Sequence, residues 1–210
     1  MEPTGVMGAV YQIADKVSKL AYINLLWILF SLMGLLAFGI FPATIAMFTV
    51  LRKMVLKQDF NMFSVFWKTY KKEFLKGNLL GIMLVTVNVI TYLSFSFYRE
   101  STGTMELFFY PMMIVIILIF LTTLFVFPVY VHFNMRFLHI FKMSFIFMSL
   151  YPLSSLSIAV NSLVFLLLMY TLPALTIFFG GSIIGLIIMV SVNRAFKKNE
   201  EKLERFRVES

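Results

Sequence analysis

The sequence predicts an all-α protein that crosses a lipid bilayer several times, and three observations lead to this fold class. Of the 210 residues, 60% are apolar. Only 13% are charged, whereas ordinary soluble domains carry about 25%. The 51 residues from 143 to 193 contain no Asp, Glu, Lys or Arg, although one membrane-spanning helix needs only about 20 apolar residues. A soluble domain of this length could not bury so much apolar surface in one core.

The net charge of +8 indicates topology rather than nucleic-acid binding. The lysines and arginines lie in blocks at the edges of apolar runs, which is typical of cytoplasmic loops that face anionic lipid headgroups. We therefore expect the lipid bilayer with its anionic headgroups, and no nucleic acid, as a partner. Cysteine is absent, which excludes disulfides, thiolate metal sites and a cysteine nucleophile. The sequence does not give the oligomeric state.

The N-terminal quarter of the chain predicts a surface helix followed by a helical hairpin. Residues 4–19 carry apolar side chains at steps of three and four, as in an amphipathic lead-in helix. The apolar run from 20 to 51 is too long for one crossing. Gly39 can end a helix and Pro42 suits the first turn of the next. The candidate break at Gly39 and Pro42 gives two spans, at about 20–39 and 42–56.

Four further spans are predicted at about 77–98, 107–131, 150–170 and 173–192, and together with the hairpin they form a single transmembrane domain over residues 1–210. Pro173 divides the long uncharged tract where a tight turn is needed. The charged tail at 194–210 is expected to be helical, solvated and cytoplasmic.

The hairpin gives six crossings with both termini in the cytoplasm, and of the 18 lysines and arginines only Arg99 then faces outward. A single kinked first span gives five crossings with the N-terminus outside, where Lys16 and Lys19 join Arg99. The positive-inside rule favours six. The length of the second span argues for five, because residues 42–56 extend only about 22 Å in a helix, short of a roughly 30 Å hydrocarbon core.

The segment at about 60–76 is predicted to form an interfacial helix, because aromatic rings alternate with lysines at helical spacing. Its rings would enter the acyl boundary and its ammonium groups would meet lipid phosphates. A docking surface for a partner protein is the alternative interpretation. The candidate interface or lipid contacts are Arg52, Phe63, Trp67, Lys68, Lys71 and Lys72.

No catalytic, cofactor-binding or metal-binding residues are predicted, and we expect a protein that is not an enzyme. His132 and His139 fall on one helical face, but two histidines without a third ligand make a poor zinc site. The spans contain no carboxylate that could bind a coupling ion. The polar side chains in the spans are uncharged, and four of them are candidates for helix contacts or a hydroxyl-lined cavity: Asn88, Asn161, Ser154 and Ser155.

Residues 39–48 (GIFPATIAMF), Arg52-Lys53, the aromatic-basic stretch 63–74 and residues 77–81 (GNLLG) resemble the YesL-like family of bacterial integral membrane proteins. The resemblance covers about the first 85 residues. The family is a domain of unknown function, so the resemblance implies no catalytic residues. Its members are often encoded beside carbohydrate-uptake systems, which implies a role in carbohydrate utilisation and a place in the bacterial cell membrane.

The leading functional hypothesis is a non-enzymatic, multi-pass membrane component with a cytoplasmic C-terminus, accessory to or regulatory for a bacterial carbohydrate uptake system. A carbohydrate transporter or its regulator is then the expected protein partner. An uncoupled small-solute permease or channel is the first alternative, for which Asn88 and Asn161 should line a common cavity. A membrane sensor that responds to lipid through Lys68, Lys71 and Lys72 is the second.

Overall fold

The protein, represented here by a computed structural model, is described over residues 6–101, 103–133 and 135–209, and its regular elements there are helical. In chain order they are α1 (Val6–Met33), α2 (Ile40–Val55), α3 (Met62–Lys72), α4 (Phe74–Glu100), a 3-10 helix (Gly103–Phe108), α5 (Phe109–His132), α6 (Phe137–Leu150), α7 (Pro152–Thr171) and α8 (Pro173–Glu209). Within the described residues, five stretches are long and apolar enough to cross a membrane: Val10–Met33, Phe74–Glu100, Met105–His132, Pro152–Thr171 and Pro173–Lys202.

The outward surface of the bundle is apolar. Large side chains such as Ile90 on α4, Ile114 on α5 and Leu163 on α7 are exposed, and many similar residues surround them. Such a surface is far larger than the apolar patches of soluble monomers and is suited to lipid. The predicted all-α polytopic membrane fold is therefore confirmed.

The first break in the chain falls earlier than the sequence suggested, because α1 ends at Met33 and the turn occupies residues 34–39. Leu35 and Leu36 both have positive φ, at 57° and 59°, a conformation that costs an L-residue roughly 1–2 kcal/mol. Gly34 and Gly39 make the turn possible. A Cβ atom on Gly34 would lie 2.3 Å from the Gly39 Cα. Gly39 directly precedes α2, and Pro42 lies in its first turn as expected.

The lead-in segment predicted at 4–19 joins the first span in the continuous helix α1, and its first two residues lie outside the described residues. The predicted span at 42–56 corresponds to α2, which has 16 residues. At 1.5 Å per residue this helix extends about 24 Å, less than a hydrocarbon core. It lies inside the bundle and contacts α1, α3, α4, α5 and α8.

The α1–α2 turn lies against the beginning of α4. The Asn78 side-chain amide donates a hydrogen bond of 2.9 Å to the Phe38 carbonyl. A Cβ atom on Gly77 would lie 3.2 Å from the Pro42 Cα, and one on Gly34 would lie 2.8 Å from the Tyr70 hydroxyl. The C-terminal end of α1 and the N-terminal end of α4 are therefore at the same end of the bundle.

The predicted interfacial helix at 60–76 is divided at Glu73 into α3 and the first turn of α4. Asn61 caps α3, because its side-chain oxygen accepts a hydrogen bond of 2.9 Å from the Ser64 amide. Phe66 and Tyr70 are buried against Phe30 of α1, with ring centroids 5.1 and 5.0 Å from it. One face of α3 is thus covered by protein rather than by lipid.

Helices α4 and α5 form an antiparallel pair. Phe95 packs against Phe109 at one level of the pair, and Asn88 binds Thr123 at another.

Helix α6, with 14 residues, was not predicted as a separate element. It ends before Tyr151, because a residue that precedes proline is disfavoured in a helix. Only Leu172 separates α7 from α8. Helix α8 continues through the tail to Glu209, and Ser210 lies outside the described residues.

One polar side chain fastens α1 to α8. Asn24 is buried, and its oxygen accepts hydrogen bonds from the backbone amides of Gly181 and Ser182, at 2.9 and 3.0 Å. Its nitrogen donates to the Ile177 carbonyl at 2.7 Å. Gly181 permits the approach, since a Cβ atom there would lie 3.2 Å from the Asn24 oxygen. Backbone groups of α8 are thus satisfied by another helix.

Candidate functional site

A polar pocket of about 630 Å³ opens where α2, the α3–α4 junction and the α5–α6 loop meet. We call it the basic-end pocket, and we call the end of the bundle at which it lies the basic end. Three cations and one carboxylate line it. Its polar lining is Thr49, Thr69, Lys72, Glu73, Lys76, Tyr130, His132 and Arg136.

Glu73 is the only carboxylate among the side chains that line this pocket. Its side chain is 13% exposed, and its Oε2 accepts a hydrogen bond of 2.5 Å from the Tyr130 hydroxyl. Its Oε1 lies 3.8 Å from the Lys72 ammonium nitrogen. Because Glu73 directly precedes α4, the carboxylate also lies at the positive end of that helix dipole. A largely buried carboxylate is stable only with such partners.

His132, which lines the pocket at the end of α5, contacts the C-terminal part of α8. Its ring centroid lies 4.1 Å from that of Phe196, and its Nε2 lies 3.9 Å from a Glu200 carboxylate oxygen. Two buried nitrogens in this region, Arg52 Nε and His132 Nδ1, have no hydrogen-bond partner among the described residues. Buried polar atoms of this kind are uncommon in proteins.

The predicted interface residues divide into a packed set and an exposed set. Trp67 packs against Phe30 and lies below the Lys71 ammonium nitrogen, which is 4.6 Å from its ring centroid. Arg52 is half-buried in α2. The exposed set is Phe63, Lys68, Lys71 and Lys72, and it covers the outer side of α3. The exposed set therefore forms the surface that a partner or a headgroup can reach.

The four predicted polar candidates do not converge on one cavity. Asn88 donates hydrogen bonds to the Leu84 carbonyl and to the Thr123 hydroxyl, and so joins α4 to α5. Asn161 is exposed on α7 and binds the Ser157 carbonyl and hydroxyl of its own helix. Ser155 is buried and donates to the Met148 carbonyl. The permease alternative thus lacks the common cavity on which it rested.

Sequence reasoning missed Glu73 and Tyr130 as a pair. They are 57 positions apart, and Glu73 looked like one more charge in a lysine-rich segment. A weak signal was present, because a tyrosine at the end of a span can place its hydroxyl near the interface. Ser154 lines a second and separate cavity between α7 and α8.

The chemistry available in the basic-end pocket is that of binding. Lys72, Lys76 and Arg136 are donors that can hold a carboxylate or phosphate, and Thr49 and Thr69 add hydroxyl groups. Within the part of the chain that the structure describes, no three His, Asp or Glu side chains are grouped closely enough to hold a metal ion.

Three proteins of Bacillus subtilis (strain 168) are similar to this chain over nearly its whole length. It is 34% identical to "Uncharacterized protein YesV" over 199 residues, 94% of this chain and 96% of that protein. It is 35% identical to "Uncharacterized protein YesL" over 191 residues, 90% of each. The chain belongs to the YesL-like family. A third YesL-like relative, "Uncharacterized protein YteU", is 34% identical over 203 residues, 96% of this chain and 91% of that protein.

The family model described as "Protein of unknown function, DUF624" matches residues 20–95. This region contains the second half of α1, all of α2 and α3 and most of α4, so the part that defines the YesL-like family includes the α1–α2 turn and one wall of the basic-end pocket. No solved structure matches the chain.

Proposed function

We propose that this YesL-like protein is a non-enzymatic component of the bacterial cell membrane that assists or regulates a carbohydrate uptake system, and that its partner engages the basic end. The carbohydrate context comes from the family resemblance. The observation that carries the proposal is the basic-end pocket, which combines a fixed carboxylate–hydroxyl pair with a rim of cations. A partner with an acidic side chain or terminus matches this rim.

The surroundings of the pocket favour a protein partner over a small solute. The exposed lysines Lys68, Lys71 and Lys72 continue the positive surface from the rim onto α3. The outward faces of α4, α5 and α7 are apolar and suit lipid. The basic end therefore offers a surface on which charge complementarity can select a partner.

We further propose that the chain crosses the membrane five times, with its N-terminus outside and its C-terminus in the cytoplasm. The support is the contact between the α1–α2 turn and Asn78. Since α4 begins beside four lysines, this end faces the cytoplasm by the positive-inside rule. Helix α1 must then cross the membrane from the outside to this cytoplasmic end. Helix α2 is a short helix that enters the bundle from the cytoplasmic side and does not cross the membrane. Non-lipid-exposed helices of this type are tolerated because protein surrounds them.

Site-specific photocrosslinking in living cells tests the proposed partner. A photoreactive amino acid replaces Lys68, which is exposed at the basic end, while a carbohydrate transporter of the same bacterium is co-expressed. The matched control carries the same amino acid at Leu163, which is exposed on the lipid-facing side of α7. We expect a crosslinked product at position 68 that contains a transporter subunit, and lipid products at position 163.

A crosslink pattern without any transporter subunit at position 68 would overturn the partner proposal. Equal transporter yields at both positions would do the same, because they would indicate random collision in the membrane. With the photoreactive amino acid kept at position 68, charge reversal by Lys71→Glu together with Lys72→Glu should abolish the specific product while the protein still inserts, because the acidic groups would then repel an acidic partner.

A further inference from the structure

A second cavity lies between the start of α7 and the middle of α8, and nothing in the proposed function uses it. It has a volume of about 360 Å³. Its α8 wall carries three cations, Arg194, Lys197 and Lys198, whose spacing of three and four residues places them on one helical face. Its α7 wall carries the hydroxyl groups of Ser154 and Ser157. We call it the α7–α8 pocket.

The position of the α7–α8 pocket matches the headgroup layer. From Pro173 to Arg194 the helix α8 extends about 32 Å at 1.5 Å per residue. A hydrocarbon core is about 30 Å thick. Because α8 begins at the opposite end of the bundle, Arg194 and the next turn emerge where lipid phosphates lie. Leu153, at the entrance to the pocket, is strongly exposed and can contact an acyl chain.

The charge balance favours an anion. Glu201 is the one carboxylate that lines the pocket, against three cations. The first turn of α7, which begins at Pro152, adds the positive end of a helix dipole on the opposite wall. Anions bound in this way accept hydrogen bonds from both walls at once.

Ser191 adds a hydroxyl group to the α8 wall of the pocket. It is 5% exposed and lines the pocket. A buried hydroxyl that faces a cationic cavity is a donor available to an anion.

We propose that the α7–α8 pocket binds a phosphate group, held by Arg194, Lys197 and Lys198 with Ser191 beneath it, and that an anionic membrane phospholipid supplies this phosphate. Basic pockets between membrane helices on the cytoplasmic side bind such headgroups. A soluble phosphate compound would have the same chemistry, but the exposed Leu153 and the level of Arg194 favour a lipid.

Native mass spectrometry of the full chain tests the site. The protein is purified in a mild detergent and titrated with phosphatidylglycerol or with phosphatidylcholine of the same acyl chains. The test variant replaces Arg194, Lys197 and Lys198 by Gln. The control variant makes the same change in net charge at Lys16, Lys202 and Arg205, which do not line the pocket. We expect the test variant to bind phosphatidylglycerol at least about tenfold more weakly and the control variant to bind it normally.

Unchanged affinity in the test variant, or an equal loss in both variants, would overturn the site. Size-exclusion chromatography checks that each variant is folded. If the triple variant fails this check, Ser191→Ala serves as the test variant, because it removes one hydroxyl group without changing the charge. We expect Ser191→Ala to bind phosphatidylglycerol several-fold more weakly. In a competition arm, glycerol phosphate in the aqueous phase should not displace the lipid. Displacement of the lipid by glycerol phosphate at matched concentration would overturn the lipid assignment in favour of a soluble phosphate.

Discussion

Helices α2 and α7 are both apolar and both have a proline in the first turn, yet they occupy opposite environments. Eight of the 16 residues of α2 are buried by protein. In α7 only three of the 20 residues are buried, namely Ser155, Ile158 and Phe165. Hydrophobicity therefore does not separate a helix inside a membrane bundle from one that faces lipid. The difference lies in how closely the neighbouring helices approach. Helices α4 and α8 come close to α2 because they present glycines to it, namely Gly77, Gly81 and Gly185.

The largest expected effect follows from the tight turn that leads into α2. A Cβ atom at Gly39 would lie 2.3 Å from the Ser31 carbonyl oxygen, and backbone cannot move aside cheaply. We expect Gly39→Ala to lower stability by about 3 kcal/mol or more and to abolish a monodisperse peak in detergent. The control is Gly180→Ala on α8, where the new Cβ meets the flexible end of Met169 at 3.1 Å. Equal behaviour of the two variants would refute the close packing of this turn.

Truncation of apolar side chains sharpens the comparison of α2 with α7 directly. Phe48 of α2 is 3% exposed and stacks on Phe127, whereas Leu163 of α7 is 59% exposed. Phe48→Ala leaves a cavity and should cost about 3 kcal/mol, while Leu163→Ala should cost less than about 0.5 kcal/mol because lipid fills the space. Thermal unfolding in detergent micelles measures both. A loss at position 163 as large as that at position 48 would mean that α7 is covered by protein.

Side-chain amides give a smaller contrast between a position covered by protein and one that faces lipid. Asn24 binds three backbone groups of α8, whereas Asn161 of α7 binds only its own helix. We expect Asn24→Leu to lower stability by about 1–2 kcal/mol. Asn161→Leu should be neutral or slightly stabilising, since it exposes one amide fewer to lipid. Denaturant titration in micelles compares them, and a greater loss for Asn161 would contradict the assigned helix contacts.

The smallest expected effect concerns the basic-end pocket, one wall of which comes from α2. Tyr130→Phe removes the hydroxyl group that donates a hydrogen bond to Glu73. The change should lower the free energy of unfolding by about 1 kcal/mol. Tyr170→Phe on α7 is the control, because Tyr170 is strongly exposed. A double-mutant cycle with Glu73→Gln should show that the two changes are not additive. Strict additivity would mean that the two side chains do not interact.

The outlines of the membrane helices could be predicted because charges bound the apolar runs. The predicted span at 77–98 became α4 (Phe74–Glu100), and the span at 150–170 became α7 (Pro152–Thr171). Helix α6 could not be predicted in the same way, since the residues that follow its Lys142 run into α7 without a charge between them. Only the backbone preference before Pro152 marks that boundary.

The arrangement of the helices and the sites depends on contacts between distant residues, and no local pattern gives these. The apolar face of α3 led to the prediction of an interfacial helix. Hydropathy shows that this face needs an apolar neighbour, but it does not show whether that neighbour is lipid or, as in the structure, the ring of Phe30. The α7–α8 pocket brings Ser154, a candidate from the sequence, together with Arg194, which the sequence did not single out. The count of crossings stays a prediction, because positive-inside counting favoured six while the position of the α1–α2 turn favours five.

Cysteine accessibility in intact cells tests the central claim that the α1–α2 turn and α2 belong to the cytoplasmic end. The described chain has no cysteine, so single cysteines at Ser18, Ile40 and Ser101 can be labelled with a membrane-impermeant maleimide. The account predicts labelling from outside at positions 18 and 101, and labelling at position 40 only after the cells are permeabilised. Labelling from outside at position 40, with position 18 protected, would contradict it.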